Sequence, residues 1–209
     1  VYMDEQGVTP ILPSVRAAEE RILASTTSKL YMPISGDPAY LAAAKSLLFR
    51  TVGGAWGEIE PAAAERVQMI HTPGGTGAVR LAVDLVSRLR PGAEIWVGEP
   101  TWPNHTQIIE SARITARRHD WITDDARSLN TSALFDAIAA AKGGDAMILH
   151  GACHNPTGID PTPEQWSEIA QQIAHRGILP ILDFAYQGFG EGLIEDGASL
   201  RAFLATGCE

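Results

Sequence analysis

The chain is 209 residues long, 45% hydrophobic and 20% charged, an ordinary globular balance with enough length to bury one sizeable core. A formal charge of −9 leaves no Lys/Arg excess to offset phosphate repulsion, which argues against nucleic acid or an acidic membrane surface as a partner. Cys153 and Cys208 are too few for a disulfide framework or a CxxC metal site, and no apolar run approaches the roughly 18 residues of a membrane span, so a cytoplasmic protein is expected.

Val1-Tyr2-Met3 opens without an initiator, and Gly207-Cys208-Glu209 closes just after a helical segment; a piece of a longer protein is expected. Ser14 can N-cap a helix running to about Ala24, and Asp37-Pro38 starts another that carries Leu41, Lys45 and Leu48. From Arg66 strand and helix alternate. Residues 66–71 (RVQMIH) read as a strand, TPGGTG as a turn, and residues 78–89 as a helix with Leu81, Leu85 and Leu89 on one face. A strand over 94–98, a helix from about Pro103 and a strand near 113–121 follow. Ser132 caps a short helix with Leu134 and Ile138, closed by Gly143 and Gly144, before a buried strand over 145–150. Thr162-Pro163-Glu164-Gln165 is a capping box with Pro at the first helical position; Trp166, Ile169, Ala170 and Ile173 mark the inward face of its helix, up to Gly177. The last clear strand is 178–184.

Continuous apolar strands separated by helices predict an α/β fold, a largely parallel sheet covered on both faces. In such sheets ligands bind beyond the carboxyl ends of the strands. Four polar clusters fall there: TPGGTG, TWPNH, HGACHNPTG and DFAYQGF.

Gly74, Gly75, Thr76 and Gly77 can bring backbone N–H groups and a hydroxyl to an anion at a helix N-terminus, although a glycine-rich tight turn has the same composition. The spacing is neither GxGxxG nor GxxxxGK[ST]. Trp102 either stacks on a flat ring or plugs the domain edge. Asn155, before Pro156, offers an amide on a rigid turn to a ring hydroxyl, or simply marks the turn. Asp183 ends an apolar run, and burying it unpaired would be costly, so it needs a cationic partner or a capping role; a protonated pyridine nitrogen would satisfy it. Tyr186 either presents its hydroxyl beside that ring or is an amphipathic edge residue. His105, His150 and His154 lie at the same strand ends without HExxH-type spacing, so no metal is expected and hydrogen bonding is their expected role.

These segments, in this order, resemble the aspartate/aromatic amino-acid aminotransferases of class I, pyridoxal-phosphate (PLP) enzymes of fold type I. The match is close at TPGGTGA (72–78), TWPNH (101–105), HGACHNPTG (150–158) and DFAYQGF (183–189), and VYMDEQGVTP (1–10) is similar to the segment before the family's first large-domain helix. The resemblance implies that residues 1–209 are part of a large PLP-binding domain, with the small domain and the catalytic-lysine segment beyond them. It implies that Gly74, Gly75 and Thr76 hold the phosphate and Trp102 stacks on the pyridine. It further implies that Asn155 and Tyr186 bond the ring hydroxyl oxygen, and that Asp183 pairs with the pyridine nitrogen, backed by His105 and His150. Tyr31, in KLYMPISG (29–36), is similar to a tyrosine that reaches the phosphate in the other subunit, implying a homodimer with shared active sites. The implied reaction is amino transfer between an amino acid, aspartate/glutamate or aromatic, and a 2-oxo acid. The alternatives are a PLP lyase or decarboxylase of the same fold, or a truncated non-catalytic module. Lys29, Lys45 and Lys142 are the only lysines, and none sits in a setting suited to an imine.

Overall fold

The computed structural model describes residues 3–50, 52–54, 58–59 and 61–208; Val1 and Tyr2 of the VYMDEQGVTP segment and the terminal Glu209 lie outside the described residues. The chain divides into two units, Val1–Ile34 and Ser35–Glu209.

In the first unit, α1 (Pro13–Ser25) starts one residue ahead of the expected cap. Pro13 takes the first position, where its missing N–H costs nothing, and Leu12 rather than Ser14 precedes the helix. Its end is closed by Thr26, whose hydroxyl and N–H both donate to the Ile22 carbonyl, at 2.6 and 2.9 Å.

The second unit begins with α2 (Pro38–Leu48), capped by Asp37 as expected: its carboxylate accepts the N–H groups of Ala39 and Tyr40 at 2.7 and 3.1 Å. A short α3 (Pro61–Arg66) follows, then α4 (Gly74–Leu89), β1 (Ile95–Glu99), α5 (Pro103–Ser111), β2 (Ala116–Asp120), α6 (Thr131–Ala140), β3 (Ala146–His150), α7 (Pro163–Arg176), β4 (Leu179–Asp183), a one-turn 3-10 helix (Glu195–Gly197) and α8 (Ala198–Thr206). All strands are parallel, in the order β2-β1-β3-β4.

The strands alternate their side chains between two cores. Met147 and Leu149 of β3 join Trp121, Leu134, Ile138, Trp166, Ile169, Ile173 and Phe203 on the face covered by α6, α7 and α8. Ala146 and Ile148 join Val79, Val83, Val86, Ile95, Val97, Ile108 and Ile109 on the face covered by α4 and α5. Every residue of β3 is buried, which is why its sequence is apolar up to His150 at its end. By contrast β2, ARRHD, is an edge strand whose arginines pair outward with Glu94 and Glu99. The other edge, β4, contains Pro180 and meets no further strand among the described residues.

Three further expectations are corrected. Residues 66–71 form no strand: Arg66 ends α3, and the rest finds no ladder partner among the described residues, so an apolar run alone does not make a strand. Helix α4 begins four residues before Ala78 and buries Val79, Val83 and Val86, leaving Leu81, Leu85 and Leu89 at 41%, 53% and 67% exposure. Asn130, not Ser132, caps α6 by accepting the Ala133 N–H at 3.1 Å, and α6 ends at Ala140, short of the glycines. The capping box on α7 forms as read, and Gly177 ends it in the left-handed region at φ 66°.

Asp145, buried just before β3, accepts the N–H of Glu94 and of Lys142, each at 2.9 Å, and Trp96 Nε1–H at 3.2 Å. Burial pushes its pKa up, but these bonds outweigh burial and leave the carboxyl below its ordinary value. A depressed folded pKa stabilises the protein above the unfolded carboxyl pKa of about 3.9, and that contribution is lost as pH falls through the folded value. Asp145→Ala should therefore cost about 2–4 kcal/mol in urea denaturation at pH 7, because three part-buried donors lose their acceptor. The difference from wild type should shrink toward pH 3.

Candidate active site

Parallel strands end on one side of the sheet, and β3 and β4 end level, with His150 in register with Asp183. Beyond these ends lies a cavity of about 230 Å³ lined by Gly75, Thr76, Trp102, His150, Asn155, Asp183, Ala185 and Tyr186. Seven residues singled out in the sequence thus meet in one place. Gly74 adjoins them in the chain and His105 packs behind; Tyr31 belongs to Val1–Ile34 and is exposed.

Residues 74–77 are the first turn of α4 rather than a turn preceding it. The N–H groups of a helix's first turn have no intrahelical acceptor and sit at the positive end of the dipole, so Gly75 and Thr76 bring anion-binding donors to the cavity wall. Gly74 is required by conformation, with φ 67° and open space where a β-carbon would stand.

Asp183 is the last residue of β4, and its side chain is 13% exposed. Its Oδ2 lies 3.0 Å from Nε2 of His105, which is fully buried, and His105 Nδ1 lies 2.8 Å from the Thr101 hydroxyl. A carboxylate only accepts, so Nε2–H donates to Asp183, while Nδ1 and the Thr101 hydroxyl share a hydrogen bond. Trp102 meets the His105 ring edge-on, with centroids 5.3 Å apart.

The HGACHNPTG loop is pinned by Asp160, which accepts the N–H of Cys153 at 2.6 Å and of His154 at 2.8 Å. From His105 a row of aromatic rings runs inward: His150 at 5.0 Å, His154 a further 4.3 Å on, and Trp121 stacked on His154 at 4.6 Å. The Thr157 hydroxyl reaches His154 Nδ1 at 2.9 Å, whereas His150 Nε2 is buried without a partner among the described residues. His105, His150 and Asp183 bring nitrogen and oxygen atoms within 4.8 Å of one another. Both ring nitrogens of His105 are already engaged, and His105 alone of the two histidines hydrogen-bonds Asp183; His150, expected to hydrogen-bond, packs beside them with its Nε2 unpaired among the described residues.

The sequence model of the aminotransferase class I and II family matches residues 1–209. The chain belongs to that family. It is 42% identical over 205 residues to the aspartate aminotransferase of Salmonella typhi, covering 98% of this chain and 50% of that protein. It is 43% identical over 206 residues to the tyrosine aminotransferase of Rhizobium meliloti, covering 99% and 50%. The aromatic-amino-acid aminotransferase of Burkholderia pseudomallei, solved covalently bound to pyridoxal phosphate, superposes with a TM-score of 0.91 at 33% identity, covering all of this chain and 51% of that one. The chain thus spans about half the length of the relatives it matches.

Among the described residues no lysine lines the cavity. Lys45 Nζ donates to the carbonyls of Ala64 and Val67 at 2.9 and 3.1 Å, Lys142 is exposed past the end of α6, and Lys29 lies in Val1–Ile34. Thr101 and Asp160 were not singled out in the sequence. Thr101 stands four residues before His105 across a helix start, a signal that was available; Asp160 acts through the fold of its loop, which no spacing announces.

Burial, reinforced by the neighbouring His105, pushes His150 down to about 4 against the opposing pull of Asp183; burial and the adjacent histidines push His154 down to about 3. A base whose folded pKa lies below its unfolded value of about 6.5 loses stability as pH falls through that interval, since only the unfolded chain gains the proton. Each histidine adds a slope of up to about 1.4 kcal/mol per pH unit. Denaturation between pH 7 and pH 4.5 should show this loss, and His154→Asn should flatten the slope.

Proposed function

We propose that this chain forms most of the cofactor-holding part of a PLP enzyme that moves an amino group from an amino acid to a 2-oxo acid. The observation carrying this reading is Asp183, a carboxylate on a strand end, oriented by a buried imidazole and sharing one cavity with a helix N-terminus. The donor set fits the cofactor. Helix N–H groups and the Thr76 hydroxyl suit a phosphate, an indole suits a flat ring, and a half-buried carboxylate suits a ring nitrogen that must stay protonated.

The residues divide the work accordingly. Gly74, Gly75 and Thr76 hold the phosphate, and Trp102 covers one face of the ring. Asn155 and Tyr186 bond the ring hydroxyl oxygen, fixing its orientation. Asp183 keeps the proton on the ring nitrogen, and His105, braced by Thr101, keeps Asp183 aimed, with His150 filling the space beside both. What the cofactor supplies when bound is an electron-withdrawing ring. Tyr31 reaches the phosphate of a second subunit in a homodimer, and the enzyme works in the cytoplasm. Relatives named for aspartate and for tyrosine support dicarboxylic and aromatic amino acids as its substrates. The lysine that attaches the cofactor and shuttles the substrate proton is not among Lys29, Lys45 and Lys142.

Two measurements test this reading. Equilibrium dialysis of PLP against the chain should detect binding, and Thr76→Val should weaken it by about tenfold or more, the loss of one charge-assisted hydrogen bond of roughly 1.5–3 kcal/mol. Borohydride reduction in the presence of PLP, followed by peptide mass mapping, should find no stoichiometric attachment to any of the three lysines. Attachment at one site together with transamination would overturn the assignment of the lysine.

A further inference from the structure

Residues 184–197, which include Tyr186, lead from Asp183 to α8, with glycine at 188, 190, 192 and 197. Gly188 and Gly192 take φ 94° and 153°, conformations open to glycine alone, and chain so rich in glycine has little intrinsic reason to keep one shape. Four of its backbone N–H groups nevertheless converge on a single carboxylate. Asp196 Oδ2 accepts from Gly188 at 2.7 Å and Gly190 at 3.0 Å, and Oδ1 accepts from Glu191 at 2.8 Å and Gly192 at 3.3 Å. Converging backbone amides of this kind form anion nests, and here the anion is built into the chain. Asp196 is buried, and no salt bridge to it exists among the described residues; the charge is met by dipoles.

The ring of amides touches the site through Tyr186. The Tyr186 carbonyl accepts the Phe189 N–H at 3.0 Å, closing a turn that contains Gly188, and also faces Cys153 Sγ at 3.6 Å. The Asp196 end is rooted in the floor of the cavity. Ser199, three residues on, donates its hydroxyl to the Gly151 carbonyl at 2.8 Å, and the Gly151 N–H donates to the Asp183 carbonyl at 2.8 Å.

We propose that Asp196 is the positioning residue for Tyr186: its carboxylate gathers the 188–192 amides and so fixes the turn from which the Tyr186 side chain enters the cavity. Asp196→Asn tests this at nearly constant size, because the amide replaces one acceptor by an NH2 group that confronts two N–H donors. The chain is labelled with fluorotyrosine and the Tyr186 signal identified with Tyr186→Phe. In Asp196→Asn, amide exchange at Gly188, Gly190, Glu191 and Gly192 should rise about tenfold or more, as loss of a charged acceptor requires, and the Tyr186 fluorine signal should move toward its unfolded position. Faster exchange with an unmoved Tyr186 signal would overturn the proposal. Should Asp196→Asn fail to fold, Gly190→Ala serves, since its β-carbon would stand 2.7 Å from Asp196 Oδ1 and displaces the carboxylate with its charge intact; the same two readings decide.

A second arm rests on the PLP reading. Asp196→Asn should weaken PLP binding in the wild-type background and have no added effect on Tyr186→Phe, the non-additivity expected when one residue acts through the other. Additive losses would overturn the proposal. If the wild-type chain takes up no PLP, the functional reading fails, whereas the fluorine and exchange data still decide the role of Asp196.

Discussion

The hydrogen bond from His105 to Asp183 governs the rest of the site. A carboxylate that ends a strand in a two-sided core is costly to desolvate, and the cost is met on one side only, by an imidazole held from behind by Thr101. That demand fixes where α5 must start, because Thr101 and His105 have to flank its first turn. It also sets Trp102 edge-on against His105 at the cavity wall. With Oδ2 committed to His105, the second oxygen of Asp183 has no hydrogen-bond partner among the described residues, a configuration suited to a cationic ring. The parallel register then brings His150 level with Asp183, so the loop after β3 and the loop after β4 are forced into contact.

Carboxylates that gather backbone N–H groups, Asp145 and Asp196 buried and Asp160 exposed, recur as the fastenings of this architecture. Asp145 ties the chain at the amino ends of the strands, while Asp160 and Asp196 tie the two loops at the carboxyl ends. All three are satisfied by backbone N–H groups, which lets irregular chain be buried without orphaned donors. The row of depressed histidines has the opposite character, since it packs well only while uncharged. Rigidity here depends on which groups carry charge as much as on apolar contact.

Much of this was legible in the sequence, for identifiable reasons. Strand β3 announces itself because a strand buried on both faces must be largely apolar, β4 because its apolar run between Gly177 and Asp183 is short and sharply bounded, and α7 because cap, proline, periodicity and glycine agree. The cavity residues stand out because polar clusters interrupt that pattern at strand ends. Residues 66–71 were misread because apolarity reports burial, while a strand also needs a neighbour to pair with. Leu81, Leu85 and Leu89 were misread because leucine and valine stripes share one helix, and only the sheet chooses between them. Asp145, Asp160 and Asp196 carry no local signature at all: each looks like an ordinary surface acid until the fold brings distant amides around it.

Pro180 gives the sheet a direction of growth. Leu179 donates its N–H inward to Asp145, so by the alternation of a parallel strand Pro180 and Leu182 turn outward, and Pro180 has no hydrogen to offer. Along that whole margin the strand proper extends a single outward donor, at Leu182. An arbitrary extended segment colliding with it would find too little to grip, whereas a strand registered on Leu182 would lose almost nothing. The margin is therefore selective about alignment: sticky to one partner in one register, and poor as a template for the open-ended stacking that exposed strands invite.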